Sequence, residues 1–295
     1  MKNPFSKNLR LAATLAILAI AFAVQAQAAD VKIWTSDVVS DETSKDAKKE
    51  LKPIILVGAR NGSTSGKIVV ESADVIKGLK VTASALTGKG GSIPASNVQI
   101  RYAKRWPGMF YSVGNFSPGT PDILVDSPTD MVRGTEKNPA KAPDLLPVWV
   151  TVNVPKDAKA GSYSGEITVQ PEGSAEVKVK LNLEVADWTL PDPQDYRTSI
   201  DFVQSPDTLA LEYNVPLWSD KHWDLIARSF RLLSPTGSRT LYVPLIAGTN
   251  LGNEQSMVRW IKKGDKYEYD YSVMDKYLDL AEKNLGKPKL VIFYV

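Results

Sequence analysis

The sequence has no cysteine and a single histidine, His222, in 295 residues. Without thiols there is no disulfide framework, no Cys-ligated zinc or iron–sulfur site, no thiol nucleophile and no lipobox cysteine for a lipid anchor. A metal would need oxygen ligands with at most one imidazole, and neither a metal site nor a cofactor is expected. Charge of one sign is scarce as well, since 36 Lys and Arg face 33 Asp and Glu for a formal net charge of +3. That excess lies in residues 1–28, which hold Lys2, Lys7 and Arg10 and no acidic residue. The rest of the chain is therefore neutral on balance, and no Lys/Arg cluster marks a phosphate-binding face, so nucleic acid is not an expected partner. Long hydrophobic runs are missing too. The apolar run at residues 11–24 falls short of the roughly 20 residues that span a bilayer.

What is present starts with that run. It follows the three basic residues and leads into Ala26-Gln27-Ala28, small residues of the kind that signal peptidase cuts after. Residues 1–28 read as a secretory signal peptide, which places the mature chain in the periplasm or outside the cell with no stable membrane anchor after cleavage. With 43% hydrophobic residues, the remainder can bury a sizeable core, and its length is natural for two domains.

Residues 29–190 read as an antiparallel β-sandwich. Short apolar or alternating runs stand between Gly, Pro, Asn and Ser turns, at residues 54–57, 67–71, 80–83, 98–102, 123–125, 148–152, 163–169 and 177–185. The last has strict period two, with Val177, Val179, Leu181, Leu183 and Val185 on one face and Lys178, Lys180, Asn182 and Glu184 on the other, the pattern of a strand with one wet face. Residues 108–144 hold five prolines and read as an irregular excursion. Residues 37–52 are a charged loop or frayed helical turn. Gly62-Ser63-Thr64-Ser65-Gly66-Lys67-Ile68 has three residues between its glycines and Ile68 after the lysine. It is no phosphate loop and reads as a hairpin turn, and residues 87–92 are another turn.

At Leu190-Pro191-Asp192-Pro193 the rhythm changes, and residues 191–295 read as alternating strands and helices. A strand is expected over 198–204, a helix over 219–233 capped by Ser219 or Asp220, a strand over 239–247, a hairpin over 257–271, a helix over 272–285 and a strand over 289–295. The order β, α, β, α, β implies parallel pairing. Leu290-Val291-Ile292-Phe293-Tyr294-Val295 has the composition of a strand buried on both faces. A (β/α)8 barrel takes about 250 residues, so this second part is expected to be an incomplete (β/α)8 barrel of about three strands, truncated at Val295.

Several stretches carry a resemblance. The run from Pro147-Val148-Trp149-Val150 to Gly161-Ser162-Tyr163-Ser164-Gly165 resembles the sandwich strand and turn of glycoside hydrolase family 123, and Leu190-Pro191-Asp192 its exit into the barrel. Gln204-Ser205-Pro206 and Tyr213-Asn214-Val215-Pro216-Leu217-Trp218-Ser219-Asp220-Lys221-His222-Trp223 resemble the loop after barrel strand one and the following helix cap. Met257 to Trp260, with Tyr269-Asp270-Tyr271-Ser272, resembles the hairpin and helix before strand three. The resemblance covers about residues 54–295, with Asn61-Gly62 departing from the acidic residue expected after the Arg-Asn pair. It implies an exo-acting N-acetyl-β-galactosaminidase or a relative, with carbohydrate (N-acetylhexosaminide glycans) as partner. It also implies retention of configuration by substrate assistance, with an adjacent Asp-Glu pair at the end of barrel strand four. The one adjacent Asp-Glu in the sequence is Asp41-Glu42, in a charged loop that reads as solvated surface. No catalytic residue is therefore expected within the chain, and the pair is expected beyond Val295. The alternative is a non-catalytic glycan-binding or structural β-sandwich module.

Barrel active sites lie at the carboxyl ends of the strands. The substrate-binding candidates are accordingly Asp201 and Gln204 (with Ser205) after strand one, Asn250 (with Thr249) after strand two, and Tyr294 after strand three. Trp218 either stacks on a sugar face or staples the first turn of its helix. His222 has no Ser-His-Asp arrangement around it and reads as solvent-facing or capping. Glu268 and Asp270 share one strand face and read as a solvated edge.

Overall fold

Alternation of apolar and polar residues at period two organises the first half of the molecule. The computed structural model describes residues 31–40, 42, 48–72, 78–105, 121–128, 144–198 and 200–295. The expected signal peptide, Asp41 and most of the expected Pro-rich excursion lie outside the described residues. The chain divides into two compact units, Met1–Leu190 and Pro191–Val295.

The first unit contains β1 (Val31–Ser36), β2 (Ile54–Arg60), β3 (Ser63–Ser72), β4 (Lys80–Ala83), β5 (Leu86–Gly88), β6 (Gly91–Ile93), β7 (Val98–Arg105), β8 (Pro121–Val125), β9 (Asp144–Asn153), β10 (Gly161–Gln170) and β11 (Val177–Thr189). One sheet has the order β1-β3-β9-β7-β8, and the other the order β2-β11-β10-β5-β6, with β4 also pairing with β10. Both contribute to one apolar core. Val179, Leu181, Leu183 and Val185 of β11 share it with Ile68 and Val70 of β3 and Val148, Val150 and Val152 of β9, while Lys178, Lys180 and Glu184 stay exposed. Burying each such aliphatic side chain contributes roughly 1.5–3 kcal/mol.

Two expectations are corrected here. The second sheet is not wholly antiparallel, because β2 runs parallel to β11 from Ile54↔Leu181 onward. Nor is Gly62 to Ile68 a hairpin turn, because β2 and β3 lie in different sheets and Ser63 to Ile68 belong to β3. The chain changes sheet at Asn61, whose φ is +61°. Asn61 Nδ2 donates to the Leu190 carbonyl at 3.1 Å, and a Cβ on Gly62 would stand 2.7 Å from Leu190 Cδ1. The local sequence shows a tight turn, but the partners that β2 and β3 take are chosen far along the chain.

A third correction concerns Glu42. Instead of solvated surface it is buried, 7% exposed, and forms an ion pair with Lys67 of β3, which is itself almost fully buried. Lys67 Nζ also donates to the carbonyls of Ser40 (3.0 Å) and Val38 (3.4 Å) and lies 4.9 Å from the centre of the Trp149 ring. One lysine thus fastens the segment after β1 to the face of β3.

Among the described residues, the second unit begins without the expected strand. The described residues among 198–205 are irregular, and Ser205 instead caps a helix that the periodicity did not announce, α1 (Pro206–Glu212). Ser205 Oγ accepts from the Thr208 N–H and Pro206 takes the first turn, where its missing N–H costs nothing. Helix α2 (Asp220–Leu233) is capped by Ser219 and buries Trp223, Ile226, Ala227 and Phe230. It is followed by β12 (Thr240–Pro244), the antiparallel hairpin β13 (Arg259–Lys263) and β14 (Lys266–Asp270), α3 (Ser272–Asn284) and β15 (Leu290–Tyr294). Strands β12 and β15 are parallel, in register from Thr240↔Leu290 to Pro244↔Tyr294. Phe230, Leu241, Val243, Tyr277 and Leu285 form their core with the α2 face. Strand β15 is not buried on both faces as its composition suggests, since Leu290 is 51% and Phe293 52% exposed. An apolar run reports what a strand can bury, whereas the cover must come from other elements, and among the described residues β15 pairs with β12 alone.

Candidate functional site

The carboxyl ends of β12 and β15 lie side by side, and the Leu245 N–H donates to the Tyr294 carbonyl at 2.8 Å. From Leu245 the chain makes a loop before β13, held by one buried side chain. Asn253, 3% exposed, donates through Nδ2 to the carbonyls of Ile246 (2.9 Å) and Gln255 (3.0 Å), and its Oδ1 accepts from Thr249. Helix α1 braces the same loop. Ser205 Oγ donates to the Leu251 carbonyl at 2.9 Å, and Asp207 Oδ1 accepts the Glu254 N–H at 2.8 Å. Asp207 is buried, and desolvation raises its carboxyl above the usual range, against the lowering effect of the Glu254 N–H.

The loop and β13 line an open surface depression of about 530 Å³, with Leu245, Ile246, Gln255, Arg259 and Trp260 in its wall. Gln255 Oε1 accepts from Trp218 Nε1 at 3.2 Å and from Arg259 Nη2 at 2.6 Å. Trp260 is 58% exposed and meets Tyr269 and Tyr267 edge to face, with ring centres 5.0 and 6.0 Å apart. A second, smaller depression of about 330 Å³ lies against the other unit's β10 and β11. Four of its polar side chains are paired among themselves, Ser162 with Glu184 (2.6 Å) and Ser164 with Asn182 (2.9 Å).

The candidates named from sequence are spread through the second unit. Asp201 accepts a hydrogen bond from Thr240, at the amino end of β12. Gln204 is turned into the core, donating to the Ile226 carbonyl (3.4 Å) and accepting from the Tyr277 hydroxyl (2.9 Å), whose ionisation burial pushes far up. Asn250 is exposed on the loop. Tyr294 ends β15 opposite Pro244. Trp218 adopts a positive φ of 63° and leans on His222 and Trp223, with ring centres 5.3 and 5.2 Å away. It is the only one of the five whose side chain reaches the wall of the larger depression, through Gln255.

His222 does not face solvent. It is fully buried and links two backbones: the Trp218 N–H donates to Nδ1 at 2.9 Å, so the proton sits on Nε2 and is donated to the Pro206 carbonyl at 2.8 Å. Residues that sequence reasoning missed are Asp207, Asn253 and Gln255. Ser205-Pro206-Asp207 carried a usable signal, a cap followed by proline and an acid in the first turn, whereas Asn253 and Gln255 carried none. Among the described residues no group of three or more His, Asp or Glu side chains could hold a metal ion, and no helix is long and apolar enough to cross a membrane.

A strand-rich unit followed by a parallel strand pair with helices, and a depression beyond the carboxyl end of β12, define a multidomain β and α/β protein. Family models fit both parts: the glycoside hydrolase 123 N-terminal domain matches residues 37–171 and the glycoside hydrolase 123 catalytic domain residues 204–294. The chain belongs to glycoside hydrolase family 123. Among solved structures, a family 123 glycoside hydrolase from Clostridium perfringens, described for the details of glycolipid glycan hydrolysis, is 23% identical with a TM-score of 0.73. The match covers 87% of this chain and 46% of that one, so this chain spans less than half of that enzyme's length. The GspB Siglec domain (12% identity, TM-score 0.26, 83% of this chain and 95% of that one) and a β-glucosidase from Listeria innocua (12%, 0.23, 55% and 17%) also match. At those scores neither carries an argument. None of the curated proteins matches the sequence.

Proposed function

We propose that the chain is the N-terminal part of an exported retaining glycoside hydrolase that acts on N-acetyl-β-galactosaminides. The observation that carries this reading is the match of both family models in order along the chain. In this reading the two-sheet unit is the β-sandwich, and β12 and β15 with α2 and α3 begin a (β/α)8 barrel whose remaining strands continue from the exposed side of β15. The substrate's acetamido oxygen attacks the anomeric carbon while an adjacent Asp orients it and a Glu protonates the leaving oxygen, then deprotonates the incoming water. Glu42 is unsuited to that work, because its carboxylate is held by Lys67. The resemblance to the family implies a catalytic pair at the end of barrel strand four, so in this reading the pair belongs to residues after Val295 and residues 1–295 alone are inactive. Export is supported by the basic, apolar and small-residue order of residues 1–28, and the product acts in the periplasm or outside the cell.

The test has two parts. The mass of the mature protein from its source cells should exceed that calculated for residues 29–295. The longer protein should hydrolyse 4-nitrophenyl N-acetyl-β-galactosaminide, with that activity abolished by Glu→Gln in an adjacent Asp-Glu pair. An unaffected Glu→Gln variant refutes the mechanism.

A further inference from the structure

The depression beside Trp260 has the makings of a sugar subsite formed wholly within this chain. Its volume, about 530 Å³, falls in the range of small-ligand pockets, and its mostly apolar wall carries the Trp260 ring beside the side chains of Gln255 and Arg259. One donor there is the Gln255 amide nitrogen. Because Gln255 Oε1 accepts from both Trp218 Nε1 and Arg259 Nη2, turning the amide over would set its NH2 against two donors. The orientation is thus set by its neighbours. Its Nε2 has no partner among the described residues. Trp260, which keeps more than half of its surface open, is buttressed edge-on by Tyr267 and Tyr269 across the hairpin, so its ring is held in place at little entropic cost on binding.

We propose that Trp260 and Gln255 form a pyranose-binding subsite, the indole stacking on the apolar C–H face of the ring and the Gln255 NH2 donating to a ring hydroxyl or acetamido oxygen. The flat face suits a π system because the axial C–H bonds of a pyranose point their weakly positive hydrogens at it. Arg259, in the same wall, holds Gln255 in this orientation. This proposal rests on the carbohydrate reading above, but it needs no residue beyond Val295.

The experiment is a saturation-transfer NMR titration of residues 29–295 with methyl N-acetyl-β-galactosaminide. Binding in the millimolar range is expected. Trp260→Ala should weaken it about tenfold, the scale of one lost stacking contact, and Trp260→Tyr should recover most of the loss. Gln255→Glu keeps the acceptor for Trp218 and Arg259 but removes the NH2, and should weaken binding while leaving the melting temperature near that of the wild type. Trp188→Ala, an exposed tryptophan of the first unit, should bind as the wild type does. Binding unchanged in Trp260→Ala, binding lost in Trp188→Ala, or no binding at tens of millimolar would each overturn the subsite. The hydrolase reading fails separately: subsite binding without hydrolysis by the longer protein removes that reading alone, and hydrolysis without binding by this chain removes the subsite alone.

Discussion

Asp207 shows how one residue can set a pH dependence. Its carboxyl is raised by burial, so the folded state holds its proton more tightly than the unfolded chain does. Stability from this group is therefore fully present below the unfolded pKa of about 3.9 and is lost as pH rises through the raised folded value. Asp207→Asn keeps an oxygen for the Glu254 N–H and removes the titration. Between pH 3 and pH 7, in the range where carboxylates titrate, the melting temperature of the variant should rise relative to that of the wild type; a difference that does not change with pH refutes this assignment. Lys67 gives a second case. Lys67→Met leaves Glu42 buried without its cation and should destabilise the first unit by about 3–5 kcal/mol in denaturant unfolding, whereas the pair replacement Lys67→Met with Glu42→Gln should recover much of that loss. Neither residue was visible as such in the sequence. Lys67 sits in a run that looked like a Gly-rich turn, and only the partner brought back by the chain after β1 explains its burial.

At the level of elements, legibility followed periodicity. Strand β11 could be read because Val179, Leu181, Leu183 and Val185 repeat at two, and α2 because Ser219 caps a face of Trp223, Ile226 and Phe230. Pairing could not be read in the same way, since nothing local in Ile54 to Arg60 says that β2 lies parallel to β11. Residues 198–204 looked like a strand by composition, but Gln204 is turned inward to Tyr277 and Ile226, and Ser205 starts a helix. For the site, the carboxyl ends of β12 and β15 were legible in outline, whereas Asn253 and Gln255 act through loop hydrogen bonds that leave no pattern in the sequence. Two element-scale tests follow. Leu181→Ala, in the shared core at 1% exposure, should cost about 2–5 kcal/mol, and a cost below 1 kcal/mol would contradict a single well-packed core. Asp270 Oδ1 accepts the Ser272 N–H at 2.9 Å and so caps α3 from outside the helix, its pKa lowered mainly by that bond. The contribution of a lowered carboxylate is present above its unfolded pKa and lost as pH falls through the folded value. Asp270→Ala should accordingly lower the melting temperature at pH 7 and make little difference at pH 2, a contrast that differential scanning calorimetry can read.

For the whole molecule, two family 123 models lie along the chain in order, and the chain covers 46% of a solved family member. The two units divide the work in the proposed reading: the first is a β-sandwich, and the second carries the strand ends and the depression where a sugar is handled. The central claim is that the hydrolytic pair follows Val295. The most direct measurement is hydrolysis of 4-nitrophenyl N-acetyl-β-galactosaminide by the mature protein from its source cells, beside residues 29–295 alone at equal concentration. The account predicts turnover by the native protein and none by residues 29–295. Turnover by residues 29–295, or the absence of turnover by a heavier native protein, would contradict it.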